Sequence, residues 1–180
     1  MSWAIWITGL PGSGKTTVAR GVADALAARG MGVTVLELAS VRTALLGGRQ
    51  ETEHERDIVH RALAYTAKAL TDAGVPVIVD ATASRREWRE WARALIPRFG
   101  EVQLVCSPAL CVTREQEGRW RSPSRETVMT ATLPETLVDY ETSLRPDLTL
   151  DTEALEVWTS VQEVLRLVDR LERAVQHSLC

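Results

Sequence analysis

Lysine is nearly absent from this chain. Its Lys and Arg residues number 21, and only two of them are lysines, Lys15 and Lys68. The two residue types are not equivalent, because the guanidinium is a planar fork of donors and the ammonium is a compact charge. A chain that uses arginine almost everywhere else therefore marks Lys15 as a position where a compact ammonium is required.

Cysteine and histidine are also scarce, and neither shows the spacing of a metal site. These residues are Cys106, Cys111, Cys180, His54, His60 and His177. We expect Cys106 and Cys111 to pack as reduced thiols, and no group of histidines to hold a metal. The formal net charge of −3 gives no general attraction to polyanions, so a nucleic-acid partner is not expected.

Long apolar runs are missing as well. No segment approaches the ~20 apolar residues of a membrane span. Arg20 and Asp24 interrupt the first apolar helix pattern, which argues against a secretory signal. A length of 180 residues, with 45% hydrophobic and 25% charged residues, is typical of one soluble domain. The sequence predicts a single cytoplasmic domain over residues 1–180, with no membrane partner.

The stretch WITGLPGSGKTTVAR, residues 6–20, meets the pattern G-x-x-x-x-G-K-[ST]. An apolar run precedes it, and Val18, Val22 and Leu26 follow at helical spacing, which gives the strand, loop and helix of a phosphate-binding loop. Backbone N–H groups of such a loop surround a phosphate at the positive end of the helix. We therefore expect this loop to bind ATP. The predicted ATP-binding residues are Gly9, Pro11, Gly12, Ser13, Gly14, Lys15, Thr16 and Thr17.

Two side chains of this loop have separate predicted roles. Lys15 is a predicted catalytic residue, because its ammonium can reach the β- and γ-phosphates of ATP. The hydroxyl of Thr16 can hold Mg²⁺, so ATP and Mg²⁺ are the expected cofactors. The alternative is a glycine-rich turn before an ordinary helix.

Short apolar strands alternate with helical patterns along the chain. Further strands are predicted at Gly32–Leu38, in VPVIVDAT ending at Asp80, in EVQLVCS and in LTLD. Helices are predicted at Glu53–Ala73, at Ser84–Ile96, from Pro108, and from Glu153 to about Val175. Ser84 and Glu87 are predicted to form a capping box at the start of the second of these helices. Strands without two-residue alternation are typical of sheets covered on both faces. The sequence predicts an α/β fold of the P-loop NTPase type, with three layers and a five-stranded parallel sheet. The irregular stretch at residues 115–136 is interpreted as a short lid, and the alternative is a solvated loop with a short helix.

Two carboxylates end predicted strands. In a sheet of this kind ligands bind at the carboxyl ends of the strands, so Asp80 and Glu37 are candidate catalytic residues. Asp80 can join Thr16 around Mg²⁺ or orient the attacking hydroxyl, and the alternative is a capping or turn aspartate. Glu37 is a candidate general base, and the alternative is a surface residue.

Arginines cluster after the second strand, at the start of the helix after Asp80, and around the irregular segment GRWRSPSRE. Their forked donors suit phosphate and sulfate oxygens, and the alternative is a solvated surface. The predicted substrate-binding residues from these clusters include Arg42, Arg86 and Arg119. Trp120 lies in a polar stretch, where it can stack on a purine or cover the sheet. The other tryptophans expected in the core are Trp3, Trp6, Trp88, Trp91 and Trp158.

Several segments resemble adenylyl-sulfate kinases. WITGLPGSGKTTVA, AKALTDAGVPVIV, CVTREQEGRW and YETSLRPDLTLDTEALEVWTSVQEVL are similar to successive segments of that family, in the same order and across most of the chain. The resemblance implies transfer of the γ-phosphoryl of ATP to the 3′-hydroxyl of adenylyl sulfate. It also implies that Arg42 and Arg61 contact the substrate, that Arg114 lies against the ATP adenine, and that a homodimer can form.

The acceptor half departs from the family pattern. Glu37, Leu38 and Ala39 stand where the family has Asp-Gly-Asp, and TASRR replaces its Ser-Pro-Tyr. The family's aromatic residue before the substrate helix is not found before Arg61. VIVDAT followed by RREWR also resembles other phosphate-loop kinases, including polynucleotide 5′-hydroxyl kinases. Two alternatives therefore stay open: a kinase of a different small hydroxyl or nucleotide acceptor, and a nucleotide-binding module without catalysis.

Overall fold

The computed structural model describes residues 2–47, 51–121 and 140–173. The strands are β1 (Ala4–Gly9), β2 (Thr34–Glu37), β3 (Val77–Asp80), β4 (Phe99–Val105) and β5 (Leu148–Asp151). The helices are α1 (Lys15–Ala28), α2 (Leu38–Leu46), α3 (Glu53–Asp72), α4 (Arg86–Leu95), α5 (Pro108–Arg121) and α6 (Val157–Arg173). None of the helices in these ranges is long and apolar enough to cross a membrane. Residues 122–136 of the predicted lid lie outside the described residues.

The five strands form one parallel sheet in the order β2-β3-β1-β4-β5. All six residues of β1 are buried, because the strand is central and is covered on both faces. One face packs on α1 and α6 through residues such as Val22 and Val164, and the other packs on α3 and α4 through residues such as Leu63 and Trp88. The predicted three-layer α/β fold with a five-stranded parallel sheet is confirmed.

The strand register brings the predicted carboxylates to one edge of the sheet. Glu37 pairs with Asp80 across β2 and β3, and Ile7 pairs with Asp80 across β1 and β3. The loop after β1 leaves the sheet at this same edge and leads into Lys15, the first residue of α1. Phosphate loop and carboxylates therefore meet where ligands bind in open α/β sheets.

The predicted capping box at the start of α4 is wrong. The N-cap of α4 is Arg85, and no side chain of the helix caps it. Instead the Glu141 carboxylate accepts the Arg86 backbone N–H at 2.7 Å, while the Ser84 carbonyl accepts the N–H of Glu141 at 2.8 Å. The Glu141 carboxylate, which comes from a distant segment, therefore caps α4 in place of the Ser84 hydroxyl. Its negative charge is favoured at the positive end of the helix.

Two further expectations need correction, the burial of Trp158 and the start of the closing helix. Trp158 is 60% exposed, because the closing helix begins at Val157 and not at Glu153, with Trp158 on its outer side. The capping box in the described structure lies at Thr52 and Glu55, before α3. The sequence analysis also missed α2, which follows β2 directly.

Cys106 and Cys111 form a disulfide, where reduced thiols were predicted. Cys106 follows β4 and Cys111 lies in the first turn of α5. The tight connection between strand and helix places their Cα atoms 6.6 Å apart, within the range that a disulfide spans. Cys111 also approaches the phosphate loop, since a Cβ added to Gly12 would lie 2.1 Å from its carbonyl oxygen.

His60 is a buried histidine between α3 and α4. Its ring stacks on Trp88 with the ring centres 3.8 Å apart, and its Nδ1 lies 2.7 Å from the Arg56 carbonyl oxygen. Burial lowers the pKa of His60 from 6.5 to about 4, and the charges of Arg42 and Arg56 act in the same direction. The imidazole is therefore neutral at neutral pH.

We expect His60 to make the protein less stable as the pH falls from 6.5 to 4. In this window the unfolded chain binds a proton that the folded chain excludes, so the contribution is complete above 6.5 and disappears toward 4. A shift from 6.5 to about 4 corresponds to about 3 kcal/mol of unfolding free energy. Urea unfolding measured at pH 7 and pH 4.5 should show a smaller loss for His60→Phe than for the parent. Exposed His54→Phe is the control, and equal losses in all three proteins would contradict the prediction.

Candidate active site

The loop Leu10–Gly14 is shaped to enclose an anion. Gly12 and Gly14 have φ values of 79° and 93°, in the left-handed region that favours glycine. A side chain at position 12 would also collide with the backbone of Cys111, as described above. Gly14 ends the loop directly before α1, so the loop N–H groups gather at the positive end of that helix.

Lys15 is held at the centre of this loop. Its Nζ donates to the carbonyl oxygens of Gly9 at 3.1 Å and Leu10 at 2.9 Å. Burial lowers the pKa of Lys15 to about 8, while the charges of Asp80 and Glu115 oppose that shift. Both of its acceptors are neutral carbonyls, so a phosphate oxygen offers this ammonium a stronger, charge-assisted bond.

Thr16 and Asp80 lie in direct contact beside Lys15. The Thr16 hydroxyl donates to Asp80 Oδ2 at 2.5 Å. Burial raises the pKa of Asp80, which the Thr16 hydrogen bond and the Lys15 charge partly offset. A hydroxyl and a carboxylate are hard oxygen donors of the kind that Mg²⁺ prefers, and Mg²⁺ completes its shell with water and substrate phosphates. The two predicted metal ligands therefore fit a magnesium ion, which would neutralise phosphate charge when bound.

Glu37 lies beside this pair but is tied to another partner. Its Oε1 accepts from Arg20 Nη2 at 3.0 Å, and its side chain is 26% exposed. Its negative charge contributes to the raised pKa of Asp80. Arg20 was not singled out from the sequence, although it lies one helical turn after Thr16 on α1. The structure thus places both predicted carboxylates at the phosphate loop, with Asp80 the more buried.

A cavity of about 540 Å³ opens from the loop toward α5 and α6. Arg114 lines it and donates to Thr152, through Nη1 to the hydroxyl at 3.1 Å and through Nη2 to the carbonyl at 2.8 Å. The Thr152 hydroxyl donates in turn to the Ser13 carbonyl at 3.0 Å. Thr152 therefore links the predicted adenine-binding arginine to the phosphate loop. Sequence reasoning missed this residue, although it is the threonine of the quoted segment LDT.

We expect Thr152→Val to raise the KM for ATP about tenfold, the effect of losing 1–2 kcal/mol of hydrogen bonding. Valine keeps the shape but offers no acceptor to Arg114 Nη1 and no donor to the Ser13 carbonyl, so Arg114 keeps only its bond to the backbone carbonyl of residue 152. Thr149→Val is the matched control, because Thr149 is an exposed threonine of β5. Initial rates at varied ATP measure the effect. An unchanged KM for Thr152→Val would show that Arg114 needs no such support.

Two of the predicted acceptor arginines, Arg42 and Arg61, pair with different carboxylates, Glu51 and Asp57. Arg42 and Arg56 share the carboxylate of Glu51, with N–O distances of 3.1 and 3.2 Å. Arg61 instead pairs with Asp57 at 2.8 Å. Sequence reasoning missed Arg56, which lies in the first turn of α3 and has no motif of its own.

Arg86 is engaged away from the phosphate loop. Its Nε donates to the Thr142 carbonyl at 3.1 Å, and its backbone N–H is taken by Glu141. Arg61 also lies over the Trp91 ring, 5.2 Å from its centre. The side chains of Arg119 and Trp120 lie outside the described residues, so their predicted contacts with substrate stay predictions.

Comparison with known proteins gives a consistent result. The family model described as adenylylsulphate kinase matches residues 1–151. The adenylyl-sulfate kinase of Gloeothece citriformis is 32% identical over 167 residues, which cover 93% of this chain and 94% of that protein.

Two solved structures are similar over nearly the whole chain. The APS kinase of Mycobacterium tuberculosis in complex with AMPPNP and APS has a TM-score of 0.76 at 28% identity, covering 93% of this chain and 98% of its own. A sugar kinase from Janibacter, solved without ligand, has a TM-score of 0.70 at 26% identity, covering 94% and 95%.

Proposed function

Because the chain belongs to the adenylylsulphate kinase family, we propose that it transfers the γ-phosphoryl of ATP to the 3′-hydroxyl of adenylyl sulfate. The product would be 3′-phosphoadenylyl sulfate, and Mg²⁺ would act with ATP. The observation that carries the proposal is the contact between Thr16 and Asp80 beside Lys15. It unites a magnesium-binding pair with a phosphate-binding ammonium at the carboxyl edge of the sheet.

The donor half of the reaction depends on positioning and charge. Loop N–H groups and Lys15 would hold the β- and γ-phosphates, and Arg114, which lines the cavity, would lie against the base. Thr16 and Asp80 would hold the magnesium ion that neutralises charge on the transferring group. Asp80 is also a stronger candidate than Glu37 to accept or orient the proton of the acceptor hydroxyl, because burial has raised the pKa of its carboxyl group.

The acceptor half would use Arg42 and Arg56. Each guanidinium meets Glu51 through its Nε, and their side chains are 41% and 31% exposed. Two guanidiniums held in this way present their terminal nitrogens to an anionic group such as a sulfate or phosphate. Arg61, Arg86, Arg119 and Trp120 remain proposed substrate contacts of the same half.

A second candidate is a kinase of a different small hydroxyl compound, a sugar included. The similarity to the Janibacter sugar kinase favours it. So does the charge balance, since Glu51 and Asp57 lie against three of the acceptor arginines, Arg42, Arg56 and Arg61. A carboxylate beside an arginine weakens its attraction for an anion and offers an acceptor to a neutral hydroxyl.

The test is ADP release with Mg-ATP and adenylyl sulfate, run beside sugars, nucleosides and 5′-hydroxyl oligonucleotides. ADP release that depends on adenylyl sulfate supports the first candidate. Its product should be heavier than adenylyl sulfate by one phosphoryl group, about 80 Da. Release with a sugar alone supports the second. ATP binding without turnover on every acceptor would contradict both and favour a nucleotide-binding module.

We also propose that the chain forms a homodimer in the cytoplasm. Ile58 and Tyr65 lie two turns apart on α3, and their side chains are 48% and 66% exposed. Apolar side chains on one helix face are a common basis for pairing with a second copy. Sedimentation velocity would report a monomer if this proposal is wrong.

A further inference from the structure

Arg89 is a fully buried arginine on α4, outside the site described above. Its exposed fraction is 0%. Its Nε donates to Glu101 Oε1 at 2.9 Å, its Nη1 donates to the Ala83 carbonyl, and its Nη2 donates to the Glu141 carbonyl. One guanidinium thus joins β4, the loop after β3, and the segment that contains Tyr140 and Glu141.

The loop that Arg89 contacts has an unusual backbone. Ala83 has a φ of 42°, and it is the one non-glycine residue with positive φ in the described part of the chain. Such a conformation persists in a residue with a Cβ only where the surroundings hold it. The bond from Arg89 to the Ala83 carbonyl is one such restraint. This loop starts at Ala81, the residue directly after Asp80.

A second restraint holds the same loop from the other side. The Tyr140 hydroxyl lies 3.1 Å from the Thr8 hydroxyl, which donates to the Thr82 carbonyl at 2.5 Å. Thr8 directly precedes Gly9 of the phosphate loop. The ring of Tyr140 lies 5.2 Å from the Arg89 guanidinium, so the two restraints touch each other.

We propose that Arg89 is a positioning residue for the acceptor half of the site, acting through residues 81–85. The inference rests on the proposed function in one respect, that this loop faces the acceptor. Asp80 precedes the loop, and Arg85 and Arg86 follow it. A shift of the loop would therefore move Arg85 and Arg86 relative to the acceptor, while Asp80 stays paired with Ile7 in the sheet and the phosphate loop stays in place.

The three bonds of Arg89 argue for positioning over simple stability. A buried guanidinium loses its hydration, and packed apolar residues often stabilise a core as well as a buried ion pair does. A partner for Glu101 alone would not need a fork, since an ammonium can pair with one carboxylate. Here each of the three guanidinium nitrogens donates to a different part of the chain, namely β4, the strained loop after β3 and Glu141 of a distant segment.

Arg93 provides a matched control. It lies one turn later on α4 and meets the same Glu101, at 3.4 Å, with Asp147 at 2.7 Å. Its side-chain hydrogen bonds go to Glu101, Arg145 and Asp147, and its guanidinium lies over the Phe99 ring; none of these residues belongs to the loop after β3. The variants Arg89→Lys and Arg93→Lys both keep a cation beside Glu101. Only the first loses the fork that reaches Ala83 and Glu141.

The experiment compares amide hydrogen exchange and steady-state kinetics of the two variants. We expect Arg89→Lys to speed exchange in residues 81–86 and to lower kcat/KM for the acceptor by about 10- to 100-fold, the effect of a loop displaced by an ångström. The KM for ATP should stay within about twofold, because the phosphate loop keeps its own bonds. Arg93→Lys should leave both the loop exchange and the acceptor kinetics near those of the parent.

Two results would overturn the proposal: equal effects in both variants, or faster exchange across the whole sheet with no change confined to the loop. Tyr140→Phe is the second variant if Arg89→Lys does not fold, because it removes the hydroxyl link to Thr8 and keeps the ring over Arg89. Unchanged loop exchange in Tyr140→Phe would count against the proposal. Loop exchange is measured without an acceptor, so it tests Arg89 even if adenylyl sulfate is not the substrate.

Discussion

Lys15→Ala is expected to lower kcat by on the order of 10³-fold while leaving the fold intact, because its ammonium compensates charge on the transferring phosphoryl group. Among the described residues, the Lys15 side chain donates to the loop carbonyls of Gly9 and Leu10, which water can reach once the substitution opens the cavity. The measurement is single-turnover phosphoryl transfer with saturating Mg-ATP.

The other lysine is the natural control. Lys68 pairs with Asp72 at 2.5 Å along the surface of α3, which packs on the face of the sheet opposite to α1. Lys68→Ala should keep parental kcat, since exposed helix pairs contribute only about 0.3–0.5 kcal/mol. Full activity in Lys15→Ala would remove the kinase assignment, whichever acceptor is used.

Asp80→Asn is expected to lower kcat by about 10²- to 10³-fold and to raise the magnesium concentration needed for half-maximal rate. Asparagine can still receive the Thr16 hydroxyl, but it lacks the charge that binds Mg²⁺ and accepts a proton. Initial rates over a magnesium titration measure both effects. Glu37→Gln is the control, and a larger loss there than in Asp80→Asn would transfer the catalytic role to Glu37.

The raised pKa of Asp80 gives the same experiment a pH dependence. In the proposed mechanism the active form of Asp80 is the carboxylate, so the parental rate should fall as the pH falls through the raised pKa, and Asp80→Asn should lack this pH dependence. The raised pKa of Asp80 affects the free energy of unfolding in the opposite direction from the rate. The folded chain binds the Asp80 proton more tightly than the unfolded chain, so this group makes folding less favourable as the pH rises. Asp80→Asn should therefore unfold at a higher urea concentration than the parent at pH 7.

The fold and the donor half were predictable because their signals are local. Consecutive residues from Gly9 to Thr16 make the phosphate loop, and apolar runs make the strands. Parallel strands then place Glu37 and Asp80 at one edge without any further information. The strand order, and therefore which strands are neighbours, is not given by local signals. It was inferred from how parallel α/β sheets are generally built.

The remaining features depend on contacts between residues far apart in the chain. The cap of α4 comes from Glu141, and Arg89 reaches Ala83 and Glu141 at once. Nothing near Ser84 in the sequence indicates that a distant carboxylate will replace its hydroxyl. Trp158 was misplaced for a related reason, since a turn held by Asp151 delays the start of the last helix and changes the face it buries.

The scarcity of lysine has a consequence for chemical labelling. With a pKa of about 8, the Lys15 amine is about half neutral in mildly alkaline buffer, whereas an ordinary lysine is almost fully protonated there. A neutral amine is a nucleophile, and this one lines the cavity that is proposed to hold the phosphates of a nucleotide. An acyl-phosphate derivative of ATP should therefore acylate this one amine, which would make covalent occupancy a direct count of competent binding sites in a preparation.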